Sequence, residues 1–193
     1  MEYVAFLRGI NVGGSKSVKM TDLRAAFEAM GFQRVKTVLA SGNVIFDAAR
    51  PASLGEPAAP AFENGPQGAL EVTGRIEQGL RQTFGRPVSV AVRTMADVAR
   101  LVDANPFRDV SATPATRLYI TFLSQPEKGR PDFAYESPEG DLTIRRISAG
   151  EVAGSVALSP GRGTTELMQL LEKEFGRAVT TRNWDTLRKM VGS

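Results

Sequence analysis

Two short stretches carry the residue types best suited to holding a ligand: Arg8-Gly-Ile-Asn-Val-Gly-Gly14 and Ser41-Gly-Asn43. Glycines let the backbone turn and present its amide N–H groups, and successive amides of that kind make concave anion sites. Asn11, Ser41 and Asn43 add amide and hydroxyl groups, while Arg8 and Lys16 add positive charge. A guanidinium grips a carboxylate or phosphate through two parallel hydrogen bonds. The chemistry that follows is capture of an anion or small polar ligand by Arg8, Asn11, Gly13, Gly14, Lys16, Ser41 and Asn43. The same residues also admit a plainer reading. Gly13 and Gly14 would then only permit a turn, the two asparagines would bond nearby backbone, and Arg8 would pair with an acid. The run is neither a Walker loop, which needs a Gly-Lys-Ser/Thr ending, nor a dinucleotide fingerprint, which needs a third glycine.

A second constellation, Thr181-Arg-Asn-Trp184, offers a hydroxyl, the Arg182 guanidinium and an amide beside the only tryptophan. At the start of a last helix these groups could attract an anion, and Arg182 joins the candidate site on that ground. Trp184 shares a helical stripe with Leu187 and Val191, so core packing is its expected role. Glu136, Glu139 and Asp141 surround an expected turn, where solvation accounts for them without an acid/base pair.

The exclusions are firmer. The 193 residues contain neither cysteine nor histidine, so disulfides, thiolate nucleophiles, Ser-His-Asp triads and ordinary zinc sites are ruled out. Any catalysis would rest on Asp, Glu, Lys, Tyr or a bound hard cation, and no cofactor is implied. A strand pattern opens the chain and no apolar run approaches a membrane span, which reads as a cytoplasmic protein without signal or membrane helix. The net charge of +3 does not by itself argue for nucleic acid. Its distribution is uneven, with six basic and three acidic residues in positions 1 to 40, and four basic residues against Asp185 in the last seventeen.

The elements that must position these groups follow from periodicity. Tyr3 to Leu7 is a continuous apolar run of the sort found inside a sheet. Thr21 is expected to cap a helix with Leu23, Ala26, Phe27 and Met30 on one face and Gly31 as its stop. Strands at Val35 to Leu39 and Val44 to Asp47 form a hairpin through Ser41-Gly42. A second helix carries Val72, Ile76, Leu80 and Phe84 and stops at Gly85, before a strand at Val88 to Val92. This βαββαβ order is ferredoxin-like, with helices on one face of an antiparallel sheet whose first strand is central. Residues 48–69, with four prolines, three glycines and seven alanines, read as a mobile, dispensable surface insertion.

Beyond it, Thr94 and Asp97 have capping-box spacing for a third helix that ends at Asn105-Pro106. Strands follow at Leu118 to Phe122, Leu142 to Ile147 and Val152 to Leu158. A helix with Leu167, Leu170, Leu171 and Phe175 comes next, and a last helix begins near Thr181. The chain therefore reads as α+β, with a ferredoxin-like subdomain over 1–93 and a smaller α+β unit over 94–193.

Tyr3-Val-Ala-Phe-Leu-Arg-Gly-Ile-Asn-Val-Gly-Gly14, Met20 to Arg24, Ser41-Gly-Asn-Val-Ile-Phe46, Asn105-Pro-Phe107 and Thr180-Thr-Arg-Asn-Trp184 resemble the bacterial family called domain of unknown function 1697. The resemblance spans nearly the whole chain outside 48–69. It implies a cytoplasmic protein of two α+β subdomains with no established activity or cofactor. One departure stands out: Gly161-Arg-Gly-Thr-Thr-Glu-Leu167 has Glu166 where the family often has lysine.

Topology then unites the first two stretches. In a split βαβ unit the end of the first strand and the turn between the second and third share one end of the sheet, so Arg8 to Gly14 and Ser41 to Asn43 are expected neighbours. The functional expectation is a binding or interaction protein with an anionic ligand. The alternative is a small enzyme on a phosphorylated or carboxylated metabolite. An RNA-recognition module would stack bases on Phe6 and Phe46, but the basic-glycine-aromatic signature is missing. Composition and spacing leave the oligomeric state open.

Overall fold

The apolar run near the N-terminus forms β1 (Glu2–Leu7), the third of four strands in its sheet rather than an edge. The computed structural model describes residues 1–10, 17–39, 42–48, 66–111, 113–124, 129–158 and 164–192. Two compact units divide the chain, Met1–Asp97 and Val98–Ser193.

In the first unit β1 is followed by α1 (Met20–Ala29), β2 (Gln33–Val38), β3 (Asn43–Asp47), α2 (Pro66–Phe84) and β4 (Val90–Thr94). The sheet order β2-β3-β1-β4, antiparallel throughout, is that of the ferredoxin-like fold. The pleat turns Tyr3, Ala5 and Leu7 to the side where Leu23 and Phe27 of α1 and Val72, Ile76 and Leu80 of α2 complete one core. Each such large apolar side chain contributes about 1.5–3 kcal/mol by leaving water. Val4 and Phe6, on the opposite face, are fully buried as well. Both faces of β1 are therefore dry, as its unbroken apolar pattern anticipates.

Three boundaries differ from the sequence reading. Thr21 does not cap α1: Lys19 occupies the cap without a side-chain bond, and the Thr21 hydroxyl donates to Asp22 at 3.3 Å within the first turn. β4 starts at Val90 rather than Val88, because it runs only where β1 offers a partner, from Leu7 opposite Val90 to Tyr3 opposite Thr94. Helix α2 begins at Pro66, inside the stretch read as insertion. Proline suits a first helical turn, where its missing N–H costs nothing. The remainder of that insertion, 49–65, lies outside the described residues.

Helix α3 (Met95–Ala104) spans the division between the units. Its start is the expected capping box: the Thr94 hydroxyl accepts from the Asp97 amide at 3.0 Å and donates to the Asp97 carboxylate at 2.6 Å.

The second unit adds β5 (Thr116–Leu123), β6 (Ala134–Glu136), β7 (Leu142–Arg146), β8 (Glu151–Ala157), α4 (Thr165–Phe175), β9 (Val179–Asn183) and α5 (Trp184–Val191). Its antiparallel sheet has the order β6-β7-β8-β5-β9. Leu167, Leu171 and Phe175 of α4 close a core with Leu123, Ile144, Val152 and Val179. Two strands went unread in the sequence, β6, which is only three residues long, and β9. Thr181 and Arg182 are thus in an edge strand and not at a helix start. The cap of α5 is Asn183, whose side chain accepts from the Asp185 amide at 2.9 Å.

Candidate functional site

The end of β1 is a meeting point of three chain segments, and the register explains why. Phe6 faces Asn43 on β3, and Leu7 faces Val90 on β4. One residue further, the Leu7 N–H donates to the Gly42 carbonyl and the Arg8 N–H to the Ser89 carbonyl, both at 2.8 Å. Arg8 lies two residues beyond a cross-strand pair about 5 Å wide, which puts its Cα about 9 Å from that of Asn43. Two side chains and one small ligand can bridge that span.

The β2–β3 turn and the β1 end are also in direct contact. Gly42 has φ +74°, and a Cβ there would sit 2.6 Å from Ile10 Cγ2 and 3.2 Å from Leu7 Cβ. Only glycine meets both demands, a left-handed backbone and an approach closer than any real Cβ makes. Ile10 is buried beneath this turn, whereas Gly9 (φ +61°) is exposed with no described atom within 4 Å of its own Cβ position.

A third segment brings a residue that the sequence reading missed. The Arg86 guanidinium, half-buried, donates from Nη2 to the Ile10 carbonyl at 3.1 Å. The signal was available: β4 runs antiparallel to β1, so the start of one must adjoin the end of the other. Glu77 of α2 tethers the same corner, accepting from the Val90 amide at 2.9 Å.

Among the expected site residues, Arg8 and Asn43 come together at this end. Arg8 is half-buried. Asn43 is fully buried, and its Nδ2 donates to the Val38 carbonyl at 3.0 Å, so its amide fastens the hairpin. Asn11, Gly13, Gly14, Lys16 and Ser41 lie outside the described residues. Arg182 belongs to the second unit, in register with Ile120 of β5, with Nη1 donating to the Thr181 carbonyl at 2.8 Å. Burial lowers its pKa to about 10 by penalising the charged form. The Thr181 hydroxyl meets that of Thr121 at 2.8 Å across β5 and β9.

The remaining constellations have structural roles. Trp184 is buried edge-on to Phe107, ring centroids 5.2 Å apart. In the carboxylate turn, the Ser137 hydroxyl donates to Asp141 at 2.6 Å and accepts from the Leu142 amide at 3.0 Å, which closes the hairpin between β6 and β7. Phe6 and Phe46 cannot form one base-stacking platform. Phe46 faces Tyr3, three residues from Phe6, so the two rings are on opposite faces of the sheet, and both are fully buried. Among the described residues no group of three acidic side chains is placed to hold a metal ion. No described helix is long and apolar enough to cross a membrane.

A ferredoxin-like unit followed by a second antiparallel sheet defines the class as α+β. Within it, the chain belongs to the family described as Protein of unknown function (DUF1697), whose model matches residues 1–141. The Thr180 to Trp184 motif lies beyond the matched stretch. A solved structure, that of the conserved bacterial protein SP0830 from Streptococcus pneumoniae, is similar with a TM-score of 0.62 and 18% identity, over 99% of this chain and 97% of that one. At that identity the likeness concerns the fold alone. No curated protein matches the chain. Glu166, which departs from the lysine expected by resemblance, sits in the first turn of α4, where a carboxylate complements the helix dipole.

Proposed function

We propose that the protein is a cytoplasmic binding protein that holds a small anionic or polar ligand at the end of the first sheet, where the β1–α1 junction adjoins the β2–β3 turn. One observation carries the reading: Gly42 is pressed on Leu7 and Ile10 so closely that a Cβ would collide, which locks the two glycine-bearing segments together. Arg8 brings positive charge to that end, and a guanidinium prefers an oxyanion with two acceptor oxygens.

Ligand that binds only the folded state raises stability by mass action. A thermal-shift screen of nucleotides, sugar phosphates and carboxylates is expected to yield a saturable anionic ligand that is not turned over, with the shift lost in Arg8→Ala. A hit whose shift survives Arg8→Ala with the fold intact would contradict this location. Turnover of the hit would replace binding by catalysis.

A further inference from the structure

We infer that Arg86 and the Gly9–Ile10 peptide amides form the gripping part of this site, and that the group they grip is a phosphoryl group. The inference rests on the binding-protein reading above and names its ligand class.

Three observations converge on the backbone of Gly9 and Ile10. The first is charge. Arg86 is half-buried, its contact with the chain is the bond to the Ile10 carbonyl, and no carboxylate pairs with it among the described residues. Glu77, the nearby acid at the start of β4, is engaged by the Val90 amide. A guanidinium has five N–H donors, and one such bond leaves most of them unengaged. The second is donors. The Leu7 and Arg8 amides are taken by Gly42 and Ser89, whereas those of Gly9 and Ile10 make no hydrogen bond among the described residues. Gly9 at φ +61° gives the left-handed turn by which consecutive amides can converge on an anion. The third is room. Gly9 is exposed, and a Cβ there would meet no described atom within 4 Å, so there is room beside its amide.

A lone carboxylate has two oxygens in one plane and is matched by a single fork. Here a guanidinium arrives from the start of β4 and backbone amides come from the β1 end, with Arg8 preceding them in the chain. Donors from several directions suit a tetrahedral group with three acceptor oxygens and up to two charges. Arg86 also holds the junction through Ile10, so it both contacts the ligand and positions the amides.

The test is titration of the full chain with inorganic phosphate, a phosphomonoester (glycerol phosphate) and acetate, followed calorimetrically, on wild type, Arg86→Gln and Arg86→Lys. Phosphate is expected to bind wild type at least tenfold more tightly than acetate. Arg86→Gln should weaken phosphate by roughly tenfold or more, as loss of a charge-assisted bond does, and compress the phosphate-to-acetate ratio. Arg86→Lys, with charge but no fork, should lie between. A purely structural Arg86 would weaken both anions alike and leave that ratio unchanged, which overturns the inference. So does full phosphate affinity in Arg86→Gln, although the binding reading then stands. Absence of any anion binding by the wild type overturns both. A tighter phosphomonoester identifies a phosphorylated metabolite as the source of the group, and equal affinities identify free phosphate. Circular dichroism of each variant verifies its fold, and Arg86→Lys carries the test if Arg86→Gln does not fold.

Discussion

Two half-buried arginines, one in each unit, show how similar side chains can be given opposite tasks. Arg146 closes the second unit. Its Nε donates to the Ser148 carbonyl at 3.0 Å, Nη1 to the Gly129 and Arg130 carbonyls at 3.2 and 3.3 Å, and Nη2 to the Ala149 carbonyl at 2.7 Å. It also lies over the Phe175 ring, 5.7 Å from the centroid. Arg86 reaches one carbonyl at the end of the first sheet and meets no acid there among the described residues. A guanidinium satisfied on all sides acts as a structural bracket. One left with open donors beside unengaged amides has capacity for something that is not protein.

The largest effects should come from the glycines that let these two corners close. Gly42→Ala forces a Cβ onto Ile10 at a left-handed φ, and Gly129→Ala, at φ +78°, forces one to 2.3 Å from Cδ1 of Phe175. Strain and overpacking together should cost each about 2–4 kcal/mol in urea unfolding. Gly9→Ala shares the positive φ but meets no described atom within 4 Å, so only the backbone term of about 1 kcal/mol applies. Equal losses for Gly9→Ala and Gly42→Ala would break the claim that the turn and the β1 end are locked by contact.

Next in size is the arginine pair itself. Arg146→Ala strands several carbonyls and should destabilise by about 2 kcal/mol, whereas Arg86→Ala should cost less than about 1 kcal/mol. The order should reverse for anion binding, which Arg146→Ala leaves intact. If Arg86→Ala proves as destabilising as Arg146→Ala, the division into bracket and gripper is wrong.

The smallest effect is a pH limb. Tyr3 is buried against Phe46, ring centroids 5.9 Å apart. Burial, with the Asp97 carboxylate second, raises its phenol above the ordinary 10.0. The folded state therefore holds this proton more tightly than the unfolded chain. Its contribution is complete below pH ~10 and is lost as pH climbs through the raised value, so stability should fall there and Tyr3→Phe should flatten the fall. A stability profile for Tyr3→Phe identical to wild type would remove this reading of Tyr3.

Most of the first unit was legible because its signals are local and agree with one another. Tyr3 to Leu7 is apolar at every position, α2 keeps a clean stripe through Val72, Ile76 and Leu80, and Gly31 and Gly85 mark helix ends with positive φ. From the order of elements alone, the rule that the β1 end adjoins the β2–β3 turn also followed. The same rule, applied to β4, reaches Arg86, but the sequence itself does not mark it, since Gly85-Arg-Pro87 looks like ordinary turn chemistry. β9 was missed because it runs into α5 with no turn residue between them. Thr181 has the composition of a cap, and only pairing with β5 gives it away as strand. The burial of Asn43 could not be read either, because its partner is a backbone carbonyl five residues away.

The most direct test of the account is a 1H–15N NMR titration of the intact protein with inorganic phosphate to millimolar concentration. Saturable shifts are expected on the amides of Gly9, Ile10, Gly42, Arg86, Val88 and Ser89, weakened by added salt as a charge-driven contact must be. Shifts that gather instead in Val98–Ser193, or none at the end of β1, would contradict it.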